Sequence, residues 1–589
     1  ELKLRESIDL NPLDFKALNE LGNILDSSGK EKESLLAYRE AVSINPDYFE
    51  AFNNMGTVLA KLGRIPEAID VYEKGLIVAP DNKDILQNLG LAFSEAKAKD
   101  FEFTEELSSL LLTLLKARTA VRPKDVCCFV LEILKSEPFV KEVLQLVDEW
   151  NPESPPTEKI KKLSEIPLLL FIMKVVPLTD LEFEKVLQKI RSTFLLDCFE
   201  SQDSQELAGL QAAIACQCFV NEYIYEVNEN EERLLASLKK KVAEDIRANK
   251  KLSMSQILTL ACFEPLYQHF DNLDFAVSPE VKELLEQQLS APQKETELKH
   301  EIPSLGAIQQ ITSLRVREQY ESNPYPRWVD TALPCKPLSI EELIFELNLK
   351  VKESAVLAIS SPRILVAGCG TGQHVIPTAL RFKNSSIVAI DLSLSSLAYA
   401  KRKSTDLGIT NVEYLHGDIS DLDKFEAVFD LVECSGVLHH MEDPMTGWKA
   451  LTSCLKKGGL MKIGLYSEHA RQHIAKFRAE LDKEITTITG EELRFQRRLI
   501  IESELPHHQK IRTSSDFYSL SSLRDLLFHT QEIRFTIPRI ESSLSELGLD
   551  FCGFELKNPG FNQQESLKGE TYQTLEYWKE HENANPDLF

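Results

Sequence analysis

The chain has 589 residues and a formal net charge of −25, with 67 lysines and arginines against 92 aspartates and glutamates. This length predicts three or four domains. The acidic excess argues against nucleic acid and anionic membrane surfaces as partners, because phosphate binding needs a basic footprint. The odd number of cysteines, 11, excludes a simple disulfide framework, and their spacing matches no zinc site. We therefore expect reduced thiols, a cytoplasmic location and no metal.

The longest apolar run, Pro167 to Met173, is too short to span a bilayer. The chain begins at Glu1 without a methionine, which we interpret as a sign that it is a fragment. Nothing in the sequence indicates the oligomeric state.

The amino-terminal hundred residues repeat with a period of 34. Two residue types mark that period, at Gly22, Gly56, Gly90, Pro12, Pro46 and Pro80. A small residue suits a position where two helices touch, and proline ends a helix. The pattern resembles the tetratricopeptide repeat (TPR), a pair of antiparallel helices, over Phe15 to Tyr48 and Phe49 to Asn82. We predict an α-helical TPR solenoid over residues 1–98.

The resemblance implies a concave groove on this solenoid, of the kind that holds peptides or protein helices. Amide side chains stand at the positions that face such a groove, including Asn19, Asn54 and Asn88. An amide donates and accepts hydrogen bonds at once, so it suits an extended peptide backbone. We predict a protein or peptide partner there. The alternative is a polar face that packs against the next domain.

The middle region, residues 99–300, is predicted to be all-α. Apolar residues recur at helical spacing, as in Leu107, Leu110, Leu111 and Leu114. The proline-rich stretch from Asn151 to Thr157 predicts a loop. No metal or nucleophile pattern is present, so we interpret the region as a helical spacer.

Strand and helix alternate in the carboxyl-terminal region, which predicts a Rossmann-like α/β domain over residues 301–589. The strand Arg363 to Ala367 leads into a turn with glycines at 368, 370 and 372, where a backbone can pass close to a ligand. The second strand ends in Asp391, about twenty residues on, where a carboxylate can accept ribose hydroxyls. Further predicted strands are Val412 to Leu415, Val428 to Cys434, Gly459 to Leu465 and Asp550 to Leu556.

These motifs resemble those of class I S-adenosylmethionine-dependent methyltransferases. The matching stretches are Gly368 to Gly372, Asp391, Gly417-Asp418 and Asp430 to His440. The resemblance implies S-adenosylmethionine as cofactor and S-adenosylhomocysteine as product. The implied contacts are the methionine part at Gly368, Cys369, Gly370 and Gly372, the ribose at Asp391 with Leu392, the adenine at Asp418 with Ile419, and the methyl end at Cys434 and Ser435.

The chain departs from the family at Val366, where an acidic residue usually stands two positions before the first glycine. The contact to the amino end of methionine must then come from elsewhere. Dinucleotide enzymes and aminopropyl transferases are the competing interpretations. The G-x-G-x-G spacing, the Asp418 strand end and the Leu438-His-His440 segment favour a methyltransferase over a dinucleotide enzyme. An aminopropyl transferase is expected to have a denser acidic site for polyamines.

Methyl transfer from an activated cofactor needs alignment, and it needs a base only when the acceptor is protonated. We predict His439 or His440 as that base, because imidazole titrates near neutrality, with Ser435 beside them. The stretches Arg317 to Trp328 and Asp516 to Arg534 look like segments of bacterial methyltransferases that carry amino-terminal TPR repeats.

Relative to a minimal core, residues 466–534 are an insertion that we predict to close over the acceptor. Its charged and aromatic residues include Glu468, Arg471, Asp516, Asp525, Glu532 and Arg534. The candidate substrate residues are Tyr325, Arg327, Trp328, Tyr466, Tyr518, Arg524 and His529.

Three function classes remain open. The chain is a methyltransferase of a protein or peptide held by the repeats, a methyltransferase of a small metabolite or glycan with repeats that serve assembly, or a non-catalytic scaffold that binds the cofactor.

Overall fold

The structure is a computed structural model that describes residues 1–199, 206–271, 273, 278–352, 354–481, 488–529, 531–555 and 574–585. Two compact units make up the chain. The first comprises Glu1–Glu200 and Val329–Cys335, and the second comprises Ser201–Trp328 and Lys336–Phe589. The predicted middle region therefore contributes helices to both units. No helix among the described residues has the length and apolar character to cross a membrane.

The first unit is built from α-helices that pack in antiparallel pairs. Their bounds are α1 Leu2–Leu10, α2 Phe15–Ser27, α3 Glu31–Ile44, α4 Phe49–Lys61, α5 Ile65–Val78, α6 Lys83–Glu95, α7 Glu105–Lys116, α8 Pro123–Ser136, α9 Pro138–Leu146, α10 Thr157–Leu163, α11 Pro167–Val175 and α12 Leu181–Asp197.

The period of 34 has a direct structural cause. A Cβ placed on Gly22 would lie 2.4 Å from the ring of Tyr38, and a Cβ on Gly56 would lie 2.4 Å from the ring of Tyr72. The paired helices of each repeat therefore approach so closely that only glycine fits. The predicted repeat architecture is confirmed.

A five-stranded parallel sheet forms the centre of the second unit. Its strands run in the order β3-β2-β1-β4-β5. Their bounds are β1 Arg363–Ala367, β2 Ser386–Asp391, β3 Val412–His416, β4 Phe429–Ser435 and β5 Leu455–Gly464. Leu365, Val388 and Val432 belong to the buried core. Since all five strands are parallel, their carboxyl ends meet at one edge, which is where open α/β sheets bind ligands.

Helices precede, separate and follow these strands. Their bounds are α13 Ala208–Val220, α14 Glu229–Arg247, α15 Met254–Ala261, α16 Pro279–Leu285, α17 Ala291–Lys299, α18 Ile311–Ser322, α19 Ile340–Glu346, α20 Val375–Arg381, α21 Leu394–Asp406, α22 Pro444–Cys454, α23 Gln472–Glu480, α24 Gly490–Glu502, α25 Pro506–Arg512, α26 Leu520–Phe528, α27 Ile537–Leu547 and α28 Leu575–Ala584. The predicted Rossmann-like class is confirmed.

The strand predicted from Asp550 to Leu556 was wrong in its described part. Residues 550–555 form no strand, and Leu556 lies outside the described residues. The aromatic residues that produced the apolar pattern face another helix instead, because the ring of Phe554 lies 5.3 Å from that of Trp578 in α28. The carbonyl of Cys552 accepts a hydrogen bond from the backbone of Lys350, 2.8 Å away, and not from a strand of the sheet.

The predicted insertion is helical over its described residues and contains α23 to α26. Its two flanks pair with each other beside the sheet. The backbone N–H of Phe535 donates to the carbonyl of Tyr466 over 2.8 Å, and that of Glu468 donates to the carbonyl of Phe535 over 2.9 Å. The insertion therefore leaves and rejoins the core at one place, next to the carboxyl end of β5.

Candidate active site

The glycine turn after β1 is fixed to the end of β2. Gly368, Gly370 and Gly372 have φ values of 70°, 51° and 90°, a region that favours glycine. The backbone N–H of Gly370 donates to Oδ2 of Asp391 over 2.8 Å. The backbone N–H of Gly368 donates to the carbonyl of Ile390 over 2.7 Å. The turn therefore has a defined shape before any ligand binds.

Asp391 shapes this turn and remains accessible. Its Oδ1 accepts from the backbone N–H of Ser393 over 2.9 Å, and its side chain is only half-buried. Burial raises the pKa of Asp391, while the hydrogen bonds from Ser393 and Gly370 oppose that rise. Oδ2 accepts from the turn and Oδ1 from Ser393, and each oxygen keeps a lone pair for a ligand hydroxyl. Leu392, also half-buried, follows directly.

Asp418, after β3, has an open acceptor. Its Oδ1 receives hydrogen bonds from the backbone N–H of Ser420 over 2.8 Å and from the Ser420 hydroxyl over 2.6 Å. Its Oδ2 is buried and has no hydrogen-bond partner among the described residues. A buried, unpaired carboxylate oxygen is costly unless a ligand donates to it. An exocyclic amine of adenine is such a donor, and the apolar Ile419 is buried next to it. These residues fit the adenosine part of S-adenosylmethionine.

The predicted cysteines line the site as neutral thiols. Cys434, at the end of β4, is fully buried, and burial raises its pKa to about 12. Burial also raises the pKa of Cys369 well above its usual range. Neither thiol is a nucleophile at neutral pH. Ser435, the next residue, is exposed at the strand end.

A segment that precedes the core lies against the glycine turn. A Cβ on Gly370 would come within 3.0 Å of the carbonyl oxygen of Tyr325. The Thr371 hydroxyl donates to the carbonyl of Pro326, and the indole N–H of Trp328 donates to the carbonyl of Thr371 over 3.2 Å. Trp328, predicted as a substrate residue, is buried and supports the turn.

Aromatic and imidazole side chains gather beyond β4, in a group that we call the acceptor cluster: Tyr320, Tyr325, His439, His440, Tyr466, Asp525 and His529. The ring of Tyr466 stacks on that of His439 at 3.8 Å, and the rings of His440 and His529 stack at 3.4 Å. The insertion supplies Asp525 and His529, and the backbone N–H of Ile533 donates to the carbonyl of His439 over 2.8 Å. The sequence-predicted residues Tyr325, His439, His440, Tyr466 and His529 therefore lie together.

The imidazoles of the acceptor cluster are neutral. Burial, with His440 and His529 nearby, lowers the pKa of His439 to about 2, and both of its ring nitrogens are buried with no hydrogen-bond partner among the described residues. Burial also lowers the pKa of His440 and, more strongly, that of His529. The expectation that His439 and His440 titrate near neutrality was wrong, because it assumed solvated rings. A ring nitrogen of His439 can accept a hydrogen bond, but it is a weak base.

Three predicted substrate residues lie apart from this cluster. The Arg327 guanidinium lies 5.3 Å over the ring of Phe219 and 3.5 Å from the Glu222 carboxylate. The Tyr518 hydroxyl donates to the carbonyl of Arg512 over 3.2 Å. Arg524 donates to the carbonyl of Ile488. Arg327 therefore contacts the helical region before the core, whereas the Tyr518 and Arg524 contacts lie within the insertion.

The sequence reasoning missed Tyr320 and its neighbour Glu321. The Tyr320 hydroxyl donates to Oδ1 of Asp525 over 2.6 Å. The Glu321 carboxylate accepts from the backbone of Ser395 over 3.0 Å and from the hydroxyl of Ser393 over 3.1 Å. Both residues lie in the stretch Arg317 to Trp328, and its resemblance to a segment of bacterial methyltransferases was the available signal.

An acidic residue on the neighbouring strand lies beside Val366. Val366 pairs in register with Glu433 of β4, so the two side chains share a face of the sheet. The Glu433 carboxylate accepts from the Thr378 hydroxyl over 2.8 Å and lies 2.8 Å from Nε2 of His374. Burial opposes ionisation of Glu433, but His374 outweighs it and the pKa falls to about 2. A buried carboxylate is thus present next to Val366, the position where the family usually has an acidic residue.

In the first unit, the predicted groove amides bond to one another. The Asn54 side chain donates to Oδ1 of Asn19 over 3.1 Å, and that of Asn88 donates to Oδ1 of Asn53 over 2.9 Å. Asn19 is buried, whereas Asn54 and Asn88 are half-buried. The amides form a ladder across successive repeats, and Asn54 and Asn88 remain within reach of a partner.

Comparison with known proteins gives separate matches for the repeats and for the region of the parallel sheet. Residues 364–459 match a family described as a methyltransferase domain, and residues 22–63 match one described as a TPR repeat. An uncharacterized protein of Synechococcus is 30% identical over 238 residues, which are 38% of this chain and 56% of that protein. The ubiquinone biosynthesis O-methyltransferase of Xanthomonas axonopodis is 32% identical over 134 residues, 23% of this chain and 53% of that protein.

Among solved structures, PKMT2 from Rickettsia typhi is 16% identical with a TM-score of 0.31, over 43% of this chain and 52% of that one. The chain spans little more than half the length of the first curated relative that it matches. The glycine turn, Asp391, Asp418 and His439 all fall inside the stretch that matches the methyltransferase domain. The prediction of TPR repeats followed by a methyltransferase domain of the S-adenosylmethionine-dependent class is confirmed.

Proposed function

Because this chain carries a methyltransferase domain behind TPR repeats, we propose that it transfers the methyl group of S-adenosylmethionine to a polypeptide acceptor. The observation that carries the proposal is the position of the ligand-binding carboxylates. Asp391 ends β2 and Asp418 follows β3, and both strands lie on the same side of β1, the strand that leads into the glycine turn. Both lie within the methyltransferase match at residues 364–459.

The bound cofactor would supply a methyl group on a positively charged sulfur, already activated for displacement. The residues of this chain therefore bind, orient and exclude water. Asp391 would hold the ribose hydroxyls, and the open Oδ2 of Asp418 would accept from the adenine amine. Cys434 and Ser435, at the end of β4, would border the methyl end. The buried carboxylate of Glu433 with His374 provides the negative charge that Val366 does not.

The acceptor cluster is proposed to hold the group that receives the methyl. Tyr320, Tyr325 and Tyr466 are half-buried, so a ligand can reach their rings. His439 is buried, and neither ring nitrogen has a hydrogen-bond partner among the described residues, so the neutral ring has one N–H donor and one acceptor nitrogen open. With a pKa of about 2 it stays neutral, so it can orient an N–H or O–H of the acceptor without carrying charge.

The repeats support a polypeptide as acceptor. Gln87 donates to the carbonyl of Leu333, and the backbone N–H of Leu333 donates to the carbonyl of Thr119 over 2.9 Å. Both backbone polar groups of Leu333 are thus held within the first unit. Asn54 and Asn88 offer side chains of the same type along the repeats, and each can hold a further peptide unit.

A small molecule is the second candidate acceptor. It is favoured by the match to ubiquinone biosynthesis O-methyltransferases, which reaches 32% identity over 134 residues. Aromatic rings at the acceptor cluster suit a flat small molecule as well as a side chain.

The deciding experiment incubates labelled S-adenosylmethionine and the full chain with a lysate of the native host that lacks this protein. A polypeptide acceptor predicts protease-sensitive label in the macromolecular fraction. Label confined to small molecules would replace this acceptor with the second candidate. The Gly370→Val variant, which fills the turn, is the control for label that does not depend on the cofactor site.

A further inference from the structure

We infer that His440, Asp525 and His529 form a binding site for one divalent transition-metal ion. Each of the three residues offers one ligand atom, and these atoms all lie within 4.8 Å of one another. All three side chains are more than nine-tenths buried. The site goes beyond the proposed function and does not depend on it, because metal binding is measured without any methyl acceptor.

A shared carbonyl orients both imidazoles. Nδ1 of His440 and Nδ1 of His529 each lie 2.8 Å from the backbone carbonyl oxygen of Gln531. A carbonyl only accepts, so each Nδ1 carries the hydrogen and each Nε2 keeps a lone pair. The backbone N–H of Gln531 is farther from Nδ1 of His529, at 3.2 Å, and does not change this assignment. Metal-binding histidines are commonly held in this way, by a backbone carbonyl at the other ring nitrogen.

The carboxylate is oriented by a hydroxyl. Tyr320 donates to Oδ1 of Asp525 over 2.6 Å, and this is the hydrogen bond that the structure gives the Asp525 side chain among the described residues. Oδ2 therefore has a lone pair for a ligand. The Tyr320 hydroxyl also lies 3.2 Å from Nε2 of His529. One hydroxyl proton cannot satisfy both, so the group contains more buried acceptors than donors.

A cation resolves this excess of acceptors. Two neutral imidazoles and one carboxylate suit zinc, manganese, iron or cobalt, and suit magnesium and calcium poorly because these prefer oxygen ligands. In a tetrahedral site the ligand atoms are about 3.4 Å apart. Side-chain rotations that move each ligand atom by about 1 Å would bring the three atoms to that separation. Three protein ligands leave a coordination position open, as in metal sites that also bind a substrate atom.

The acceptor cluster gives that open position a role. The ring of His439 lies 4.2 Å from that of His440, centroid to centroid. The ring of His440 also lies 6.0 Å from that of Tyr466, and the ring of His529 lies 6.0 Å from that of Tyr320. An ion held by His440 and His529 would therefore lie beside the half-buried rings of Tyr320 and Tyr466, where the methyl acceptor is proposed to bind. It would contact a nitrogen or oxygen atom of the acceptor and fix its direction.

Cobalt(II) titration of the full chain tests the inference. We expect one ion per chain with weak visible bands of nitrogen and oxygen ligation, and the same stoichiometry for zinc by elemental analysis after dialysis. Asp525→Asn and His529→Gln keep the side-chain volume, and each should weaken binding at least tenfold. Tyr320→Phe removes only the hydroxyl that orients Asp525, and we expect it to lower the affinity for the metal ion by about tenfold to a hundredfold.

A second group provides the matched control. Glu480, His507 and His508 also have ligand atoms close together, but Glu480 is exposed. A His507→Gln, His508→Gln variant should bind cobalt as the unmodified chain does. No binding by the full chain, loss of binding in this control variant alone, or an intense thiolate-to-cobalt band would overturn the inference. Circular dichroism of each variant checks that the fold is retained, and a misfolded Asp525→Asn is replaced by His529→Gln.

Discussion

Asp418 accepts two hydrogen bonds from Ser420 on one carboxylate oxygen and none from the described residues on the other. The backbone N–H and the hydroxyl of Ser420 both converge on Oδ1, so the carboxylate cannot rotate freely. Its Oδ2 is thereby directed, unpaired and buried, at the edge of the sheet where the glycine turn and Asp391 also lie. Because one oxygen is paired and the other is not, Asp418 can accept a hydrogen bond from a ligand.

The Asp418→Asn substitution tests this relationship. The amide oxygen can still accept from Ser420, but an NH₂ group would then face the adenine amine as a second donor. We expect the affinity for S-adenosylhomocysteine to fall by about 1.5–3 kcal/mol, measured by calorimetry. Asp421→Asn changes the same residue type three positions on and should leave the affinity unchanged. Equal affinities for both variants would remove Asp418 from the site.

Substitutions at Gly370 and Gly408 distinguish the effect of backbone strain from the effect of steric contact at the glycine turn. Gly370 has a φ of 51°, and its Cβ position lies 3.0 Å from the carbonyl of Tyr325. Gly408 has a φ of 70° with nothing within 4 Å of its Cβ position. Alanine at either site should destabilise the fold by about 1–2 kcal/mol through the backbone. Only Gly370→Ala should also abolish cofactor binding, and a similar loss in Gly408→Ala would contradict the assignment.

The Glu321 carboxylate makes the stability of the site dependent on pH. Burial opposes its ionisation, but hydrogen bonds from Ser395 and the Lys299 ammonium lower the pKa to about 2. Because the pKa of Glu321 is lower in the folded chain than in the unfolded chain, where it is near 4.5, the ionised carboxylate stabilises the fold above pH 4.5. This stabilisation is lost as the pH falls towards about 2. We expect Glu321→Gln to show a smaller decrease in the free energy of unfolding over that range.

Hydrogen exchange at residues 386–400, followed across pH, reports this effect locally. Glu301→Gln is the matched control, since Glu301 pairs with Lys401 over 2.7 Å but is exposed. Identical pH dependence in the Glu321→Gln variant and the unmodified chain would show that the contacts with Ser393 and Ser395 contribute nothing to stability.

His439 should affect the rate of methyl transfer without determining its pH dependence. Its pKa of about 2 keeps the ring neutral from pH 5 to pH 9. Replacement by asparagine keeps a hydrogen-bond acceptor and should alter turnover while the shape of the pH–rate profile is retained. An ionisation near pH 6.5 that disappears in His439→Asn would show instead that the ring is solvated and acts as a base.

The repeat amides should contribute to acceptor binding and not to cofactor binding. Each of Asn54→Ala and Asn88→Ala should weaken partner affinity by about 0.5–1.5 kcal/mol, the value of one hydrogen bond. Asn19 is buried, and its Oδ1 accepts the hydrogen bond that orients Asn54, so it is not the residue to substitute first. Unchanged affinity for a protein acceptor in the double variant would leave the small-molecule candidate.

The sheet and the cofactor residues could be predicted because their signals are local. A contiguous apolar strand, the glycine turn and the following Asp391 are all within about thirty residues of chain, and the backbone alone dictates their arrangement. The repeats were predictable for a similar reason, since Gly22 and Tyr38 recur together at each repeat.

The acceptor cluster could not be predicted in full because its contacts are remote in sequence. Tyr320 meets Asp525 and His529 across about two hundred residues, and only the fold brings them together. The low pKa of His439 arises from burial, with His440 and His529 nearby, so the sequence suggested a base where the structure has a neutral ring. The strand expected after Asp550 failed because Phe554 packs on a helix that the local pattern does not reveal.

Calorimetric titration of the full chain with S-adenosylhomocysteine tests the central claim most directly. We predict binding of one ligand per chain that competes with S-adenosylmethionine and weakens in both Asp418→Asn and Asp391→Asn. A nicotinamide dinucleotide should not compete. If the dinucleotide binds more tightly than S-adenosylhomocysteine, or if neither aspartate substitution changes the affinity, the assignment of this edge of the sheet as the cofactor site of a methyltransferase is wrong.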